Sequence, residues 1–261
     1  MLLEAVSYLT TPCAPYARRM GYLRESIAIE ARYNRCRAQW DPHLDATKAV
    51  IREAIGRCDR HRKAVVLGSG LLLDIPLKDL SDSFKSVLLV DVVHLRAARR
   101  KAAEHWNVSL MEADIAGVAE ALHHDAHTLF TPNNKLLVDD PEVDLVVSAN
   151  LASQLPTVPL AYVDRRIHLD TDTAQDFGRD IIAGHLNHLR AFDAVLCLIT
   201  DRRRTVIDRE GHAVEDMDAL YGVMLPVTDA VWHWEIAPMG EIASNRAIHN
   251  EVHGFADLRS A

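Results

Sequence analysis

Between residues 64 and 200 the chain alternates short apolar runs with segments of helical character, and this alternation narrows the possible folds more than any other feature. AVVLG (64–68) and VLLVD (87–91) are continuous apolar runs of strand length, VSLMEAD (108–114) is a weaker one, and VDLVVSA (143–149) and AVLCLIT (194–200) complete five strand candidates. Runs that are apolar on both faces suit strands covered from both sides, as in a parallel sheet. LKDLSDSF, HLRAARRKAAEHW, IAGVAEALHH and TDTAQDFGRDIIAGHLNHLRAF lie between them and read as helices. Parallel strands joined by helical crossovers carry those helices on both faces of the sheet.

The ends of the chain read differently. Residues 16–60 hold Gly or Pro only at Gly21, Pro42 and Gly56, and Leu44, Ile51, Ala54 and Ile55 recur at helical spacing, so two or three helices are expected there. After Thr200 a polar turn, DRRR, precedes two extended runs, DALYGVMLPV and AVWHWEIAP, separated by a few residues with Thr228 and Asp229 among them. So short a connection excludes a crossover helix and predicts an antiparallel pair. The expected fold is α/β, a doubly wound, mostly parallel seven-stranded sheet with helices on both faces, a C-terminal antiparallel hairpin and an N-terminal helical extension. The expected division is residues 1–62 for the extension and 63–261 for the sheet domain.

Charge and composition remove several functions. With 261 residues, 49% of them hydrophobic, the chain can bury a full core. A formal net charge of -8 argues against nucleic acid, whose phosphates demand concentrated Lys and Arg. Residues 1–63 nevertheless hold 12 Lys and Arg against 7 Asp and Glu, leaving 17 against 30 for the rest. This basic N-terminal segment either faces an anionic partner or forms solvated helix faces. Cys13, Cys36, Cys58 and Cys197 are scattered without a CxxC pair, so no zinc knuckle or disulfide framework is expected and a reducing cytoplasm fits. MLLEAVSYLTTP is too short in its apolar run for a signal peptide, and no membrane span is expected.

The chemistry centres on the loop in AVVLGSGLLLDIP (64–76). Gly68 and Gly70 let backbone approach a ligand, and Asp91, about 21 residues on at the end of the next strand, is placed to accept from two ribose hydroxyls. A dinucleotide loop would carry a third glycine to pack the helix whose N-terminus meets the pyrophosphate. Here Leu71, Leu72 and Leu73 fill that region and Asp74 adds negative charge. A cofactor with no phosphates and a cationic centre suits this loop better than a nicotinamide dinucleotide does.

These residues resemble the class I (Rossmann-like) S-adenosylmethionine-dependent methyltransferase family: VVLGSG its glycine loop, VLLVD its ribose-binding strand end, MEAD its third motif and VDLVVSAN its fourth. The chain departs from the pattern at Val66, where an acid often precedes the first glycine, and in the missing third glycine. The resemblance, over about residues 60–240, implies S-adenosylmethionine as cofactor and methyl transfer to a small molecule. It implies that Gly68, Ser69 and Gly70 wrap the amino-acid end, Asp91 binds the ribose, Asp114 meets the adenine amine, and Val92 and Ile115 sandwich the ring. Asp114 reads equally as an N-cap of the following helix.

SANLASQLP (148–156) follows the fourth strand, and Asn150 and Gln154 there are expected to orient the acceptor, although the Asn-Pro-Pro-Tyr pattern of amino-methylating relatives is absent. His185 and His188 share a helix face at i and i+3; they read as core or solvent histidines, an acceptor contact with His185 as base, or half of a metal site that lacks its other ligands, and no metal is expected. HLDTD (168–172) reads as an N-cap, and His94 follows Asp91 closely enough to approach the cofactor. Tyr16, Arg18, Arg19, Tyr22 and Arg24 form an aromatic and basic cluster that either covers an anionic small-molecule acceptor or pairs with the acidic body. Neither nucleic acid nor membrane is expected as a partner; a homodimer is. Two further readings share this topology, a non-catalytic cofactor-binding protein and an NAD-dependent oxidoreductase.

Overall fold

The computed structural model describes residues 2–228 and 230–259, so Asp229 lies outside the described residues. Helices α1 (Leu2–Thr10), α2 (Pro15–Met20) and α3 (Tyr22–Gly56) precede β1 (Lys63–Leu67), α4 (Leu77–Ser83), β2 (Ser86–Asp91), α5 (Arg96–Ala102), β3 (Val108–Glu112), α6 (Ala119–His124) and β4 (Val143–Ala149). A 3-10 turn (Ala152–Gln154), α7 (Thr157–Ile167), α8 (Thr171–Arg190), β5 (Val195–Ile207), β6 (Ala213–Asp218), β7 (Ala230–Ala237) and β8 (Ala247–Phe255) complete the chain.

The strands form one sheet in the order β3-β2-β1-β4-β5-β8-β7, with β6 paired to β5 off that path. Strands β1 to β5 run parallel, and β8 is antiparallel to both of its neighbours. Strand order reverses between β1 and β4, which opens a crevice at their carboxyl ends, where ligands bind in doubly wound sheets. All seven residues of β4 are buried, as a strand covered on both faces requires.

Two apolar clusters, one on each face, hold the sheet. Val65, Leu67, Val146 and Leu198 point into the first with Ile181, Ile182 and Leu186 of α8, while Val66, Leu145, Val147 and Cys197 point into the second. Helix α3 belongs to both. Its first turns contribute Leu23 and Ile27 to the first cluster, and its later turns contribute Trp40, Leu44, Ile51 and Ile55 to the second. Between them the helix kinks at Cys36, whose backbone is non-helical, six residues before Pro42, which lacks the N–H a helix interior uses. On the second face His43 stacks on Trp234, ring centroids 3.9 Å apart, and its Nδ1 accepts from Trp232 Nε1–H at 3.1 Å. Burial pushes this imidazole down to about 3.

The closing antiparallel pair exists, and AVWHWEIA forms one of its strands as expected, but with a different partner. DRRR is part of β5, which continues to Ile207, and residues 219–227, in the run expected as a strand, form no strand. The pair is β7 with β8. Strand β6 has every residue exposed and is held to β5 by Arg203–Asp216 and Arg202–Asp218 ion pairs, so no apolar alternation marked it, and among the described residues the sheet has eight strands rather than seven. Among the described residues no helix is long and apolar enough to cross a membrane.

Helix α8 begins at the expected N-cap, where Asp170 Oδ1 accepts from the Thr173 N–H at 2.8 Å. Its Gly178 faces the ring of Tyr221, and a Cβ there would lie 2.5 Å from Cδ1 and Cε1. Glycine to alanine inside a helix ordinarily gains about 1 kcal/mol. Gly178→Ala is expected instead to cost about 1–3 kcal/mol through overpacking, read as a lower urea midpoint; a gain would show that the ring moves aside freely.

Candidate functional site

The site lies at the carboxyl ends of β1, β2 and β4, where the glycine loop folds back on β2. The Gly68 and Ser69 N–H groups both donate to the Val90 carbonyl, at 2.9 and 3.2 Å, so the loop turns sharply with Gly68 at φ 73 and Gly70 at φ 50. These are left-handed conformations that glycine adopts without steric cost. Leu72, at φ 57, adopts one with a side chain, and it is held there because it is buried in the second cluster while Leu71 is buried in the first. The leucines thus fasten the loop to both cores. Helix α4 starts only at Leu77, so no helix N-terminus adjoins Gly70 to receive a pyrophosphate.

Asp91 closes the loop from the end of β2. Its Oδ2 accepts from the Gly70 N–H at 2.7 Å and its Oδ1 from the Val92 N–H at 2.7 Å. Burial pushes the carboxyl up, and the N–H groups of Gly70, Val93 and Val92 together with His94 oppose that rise. His94 is fully buried beside it with Nε2 3.1 Å from the Met111 carbonyl oxygen.

Asp114 is not the N-cap of the following helix, because α6 starts only at Ala119 with Val118 in that position. Its Oδ2 accepts from the Ala119 N–H at 2.6 Å, at the start of α6, while its Oδ1 is buried with no hydrogen-bond partner. Burial raises this carboxyl as well, while the bond from Ala119 and the nearby Gly117 and Ala116 N–H groups lower it. Val92 and Ile115 are buried in the cluster that holds Tyr16, Met20 and Leu23 of the N-terminal helices. The Ile115 carbonyl is pinned by Asn134 Nδ2–H at 3.0 Å, a contact from the loop before β4 that no sequence signal marked. Ser69 Oγ is a further buried atom without a partner.

The loop after β4 reaches across the crevice. Asn150, at φ 54, donates from its backbone to the Ile199 carbonyl at 2.8 Å and from Nδ2 to Asp74 Oδ2 at 2.7 Å, and its Oδ1 is buried without a partner. Burial raises the Asp74 carboxyl while the bond from Asn150 lowers it. Leu151 lies against Gly68 so closely that a Cβ there would sit 2.9 Å from its methyl carbons. The glycine is therefore required by packing as well as by its dihedral. Gln154 is half-buried in the 3-10 turn, with its backbone N–H on the Leu151 carbonyl at 2.9 Å.

The structure places His185 apart from this group. It is 2% exposed in the core, with Nε2 2.9 Å from Ser148 Oγ of β4, and burial pushes it down to about 3. His188 is bonded separately, Nε2 to the Leu136 carbonyl at 2.8 Å, and the two rings stand 6.5 Å apart. Tyr16 is buried in, and Tyr22 packs against, the cluster that holds Val92 and Ile115, and burial first and then charges that include Asp114 and Asp91 raise both phenols. Arg18 instead donates to the Tyr8 and Thr11 carbonyls at 2.7 and 2.8 Å, so its pairing is intramolecular but with backbone, and Arg19 and Arg24 are exposed. Asp201 was missed. It is 1% exposed, accepts from Ser153 Oγ at 3.1 Å, and follows an apolar run as Asp91 does; it was hidden by the reading of DRRR as a turn.

No family model matches the chain, and no curated protein matches it in sequence. Among solved structures it is similar to DhpI in complex with SAH, at TM-score 0.36 and 13% identity over 87% of this chain and 93% of that one. It is also similar to the N-methyltransferase NodS from Bradyrhizobium japonicum WM9 in complex with S-adenosyl-l-homocysteine, at TM-score 0.33 and 11% identity over 79% and 85%. An O-methyltransferase family protein from Burkholderia thailandensis gives TM-score 0.38 and 12% identity over 90% and 61%. Likeness at this level is too distant to carry residue roles across, and the doubly wound α/β fold is read from the order and direction of the strands themselves.

Proposed function

We propose that the chain binds S-adenosylmethionine at the carboxyl ends of β1 and β2 and transfers its methyl group to a small-molecule acceptor beside β4. The observation that carries this reading is the pair of strand-end acids. Asp91 is locked to the glycine loop through Gly70, and Asp114 keeps a buried acceptor, Oδ1, with nothing to accept from. An adenine amine would supply the donor that Asp114 Oδ1 lacks, and each Asp91 oxygen, bonded to one N–H, keeps a second lone pair for a ribose diol. The start of α4 at Leu77 supports this cofactor over a dinucleotide.

When bound, the cofactor would supply an electrophilic methyl on a sulfonium centre. The chain's own task is alignment, because methyl transfer gains chiefly from holding nucleophile and methyl in line. In this reading Asp91 fixes the ribose, Asp114 the adenine, and Val92 and Ile115 flank the ring. Gly68, Ser69 and Gly70 border the amino-acid end, and Asn150 and Gln154 orient the acceptor. His185 acts as a positioning residue: neutral and bonded to Ser148, it steadies the end of β4 two residues before Asn150. Residues 1–62 serve as a cover through Tyr16 and Tyr22, and four free thiols suit a reducing cytoplasm.

The adenosine end fits this cofactor as the residues stand. The amino-acid end is bridged by the Asn150–Asp74 bond and covered at Gly68 by Leu151, which favours as second reading a cofactor-binding protein without catalysis. Calorimetry with S-adenosylmethionine at about millimolar concentration, followed by assay for S-adenosylhomocysteine after addition of a metabolite mixture, separates the two. Heat with product formation is expected. Heat without product leaves the second reading, and no heat removes both.

A further inference from the structure

A cleft of about 430 Å³ lies between the loop ahead of β4 and the last turns of α8. Its walls share one residue with the crevice described above, Asn134, whose Nδ2–H holds the Ile115 carbonyl. The loop is held in a fixed shape. Asn134 Oδ1 accepts from the Leu136 N–H at 2.9 Å, the Leu136 carbonyl accepts from His188 Nε2–H at 2.8 Å, and Leu137 keeps a left-handed φ of 63 despite its side chain. Nε2 therefore carries the His188 ring proton, which leaves Nδ1 as an acceptor, buried with no partner. Gly184 brings α8 so near the loop that a Cβ there would lie 2.7 Å from Pro132 Cβ. Leu136, Leu137 and Val138 pack on the first apolar cluster. Lys135 and Asp139, which bracket them, are exposed and line the cleft, and among the described residues neither side chain has an ion-pair or hydrogen-bond partner. A rigid, strained loop that presents two unpaired and opposite charges to one cleft is the form of a ligand site.

We infer that this cleft binds an aliphatic α-amino acid. The Lys135 ammonium takes the carboxylate and the Asp139 carboxylate takes the ammonium. A zwitterion satisfies both, where a simple acid or amine leaves one charge unmatched. Asn133 from the loop and Asn187 from α8 add amides, which can donate to the carboxylate or accept from the ammonium. Pro132, Val138 and Ala191 supply apolar surface that suits a hydrocarbon side chain. The volume falls among those of small-molecule sites, about 300–1,000 Å³. This site stands independently of the cofactor reading above.

NMR titration of the full chain with L-leucine, 4-methylpentanoate and 3-methylbutylamine tests it, the last two being leucine without its amine and without its carboxyl. L-Leucine is expected to bind with a Kd at or below about 1 mM. Each analogue should bind at least ~tenfold more weakly, the worth of one charge-assisted contact. Lys135→Ala and Asp139→Ala, at positions where the side chain holds nothing else in the fold, should each weaken L-leucine binding at least ~tenfold. Lys78→Ala removes an exposed lysine elsewhere on the surface and should change it by less than about twofold. L-Leucine that binds wild type and both loop variants equally overturns the inference, because the amino acid then sits elsewhere, the crevice at the sheet included. An equal loss in Lys78→Ala overturns it by making the attraction one of general charge. Analogues that bind as tightly as L-leucine overturn it as well, as does the absence of binding at about 10 mM. Thermal melts of the three variants confirm that each is folded.

Discussion

Asp91→Ala is expected to weaken S-adenosylhomocysteine binding at least ~100-fold while changing the stability of the unliganded chain by no more than about 1 kcal/mol. The first figure follows from two charge-assisted bonds to a ribose diol, each worth about 1.5–3 kcal/mol. The second follows from two opposing effects in the free protein. Alanine leaves the Gly70 and Val92 N–H groups without their acceptor, but it also removes a carboxylate whose burial already disfavours its charge. Calorimetry and urea unfolding on the same preparation read the two quantities. Binding that falls less than about fivefold would place the ribose elsewhere, and loss of the fold would make Asp91 a structural residue first.

Stability is expected to fall steeply below pH 6.5 through His43 and His185. Both imidazoles are buried and pushed down to about 3 in the folded chain. The unfolded chain returns them to the ordinary histidine value of about 6.5. A depressed folded value gives stability that is complete above pH 6.5 and is lost as pH falls toward 3, since only the unfolded chain takes up the protons. Each histidine contributes a slope of about 1.4 kcal/mol per pH unit in that window. Asp74, Asp91, Asp114 and Asp201 act with the opposite sign, because burial raises their carboxyls and the folded chain gains stability as they protonate. Variants separate the two contributions. His43→Gln and His185→Gln should each be less stable than wild type at pH 8, yet lose stability between pH 6 and 4 more gradually, by about 1.4 kcal/mol per unit. Parallel curves for wild type and both variants would mean that the two histidines are protonated in the fold.

The parts of this molecule that could be read from sequence are those where one local rule has one outcome. Apolar runs located β1, β2 and β4, because a strand covered on both faces has few polar positions. Asp170 announced the start of α8, because an N-cap needs only its neighbours. Where tertiary contact decides, the signal failed. Arg202 to Arg204 look like a turn in isolation and become strand because β6 and β8 flank them with Asp216, Asp218 and Asn250. Helix α7 carries Pro159 near its start and was passed over, although proline in a first turn is tolerated.

The site divides the same way. Strand-end logic singled out Gly68, Gly70 and Asp91, and the fold brings all three into one hydrogen-bonded turn, while Asp114 came only with the resemblance. The Asn150–Asp74 bond joins residues 76 apart, and its existence depends on two loops meeting over the sheet. His185 illustrates the opposite limit. Its spacing from His188 suggested paired chemistry, while the partner that matters, Ser148, comes from a strand 37 residues earlier.

Helix α3 has a consequence for how this protein can come apart. One helix, kinked at Cys36, supplies Tyr22 and Leu23 to one face of the sheet and Trp40, His43 and Ile51 to the other. A segment shared in this way cannot peel from one face as an independent flap, because its release also strips the other. Unfolding of residues 1–62 is therefore expected to be coupled to that of the sheet, which hydrogen exchange of the two segments would show as matching protection.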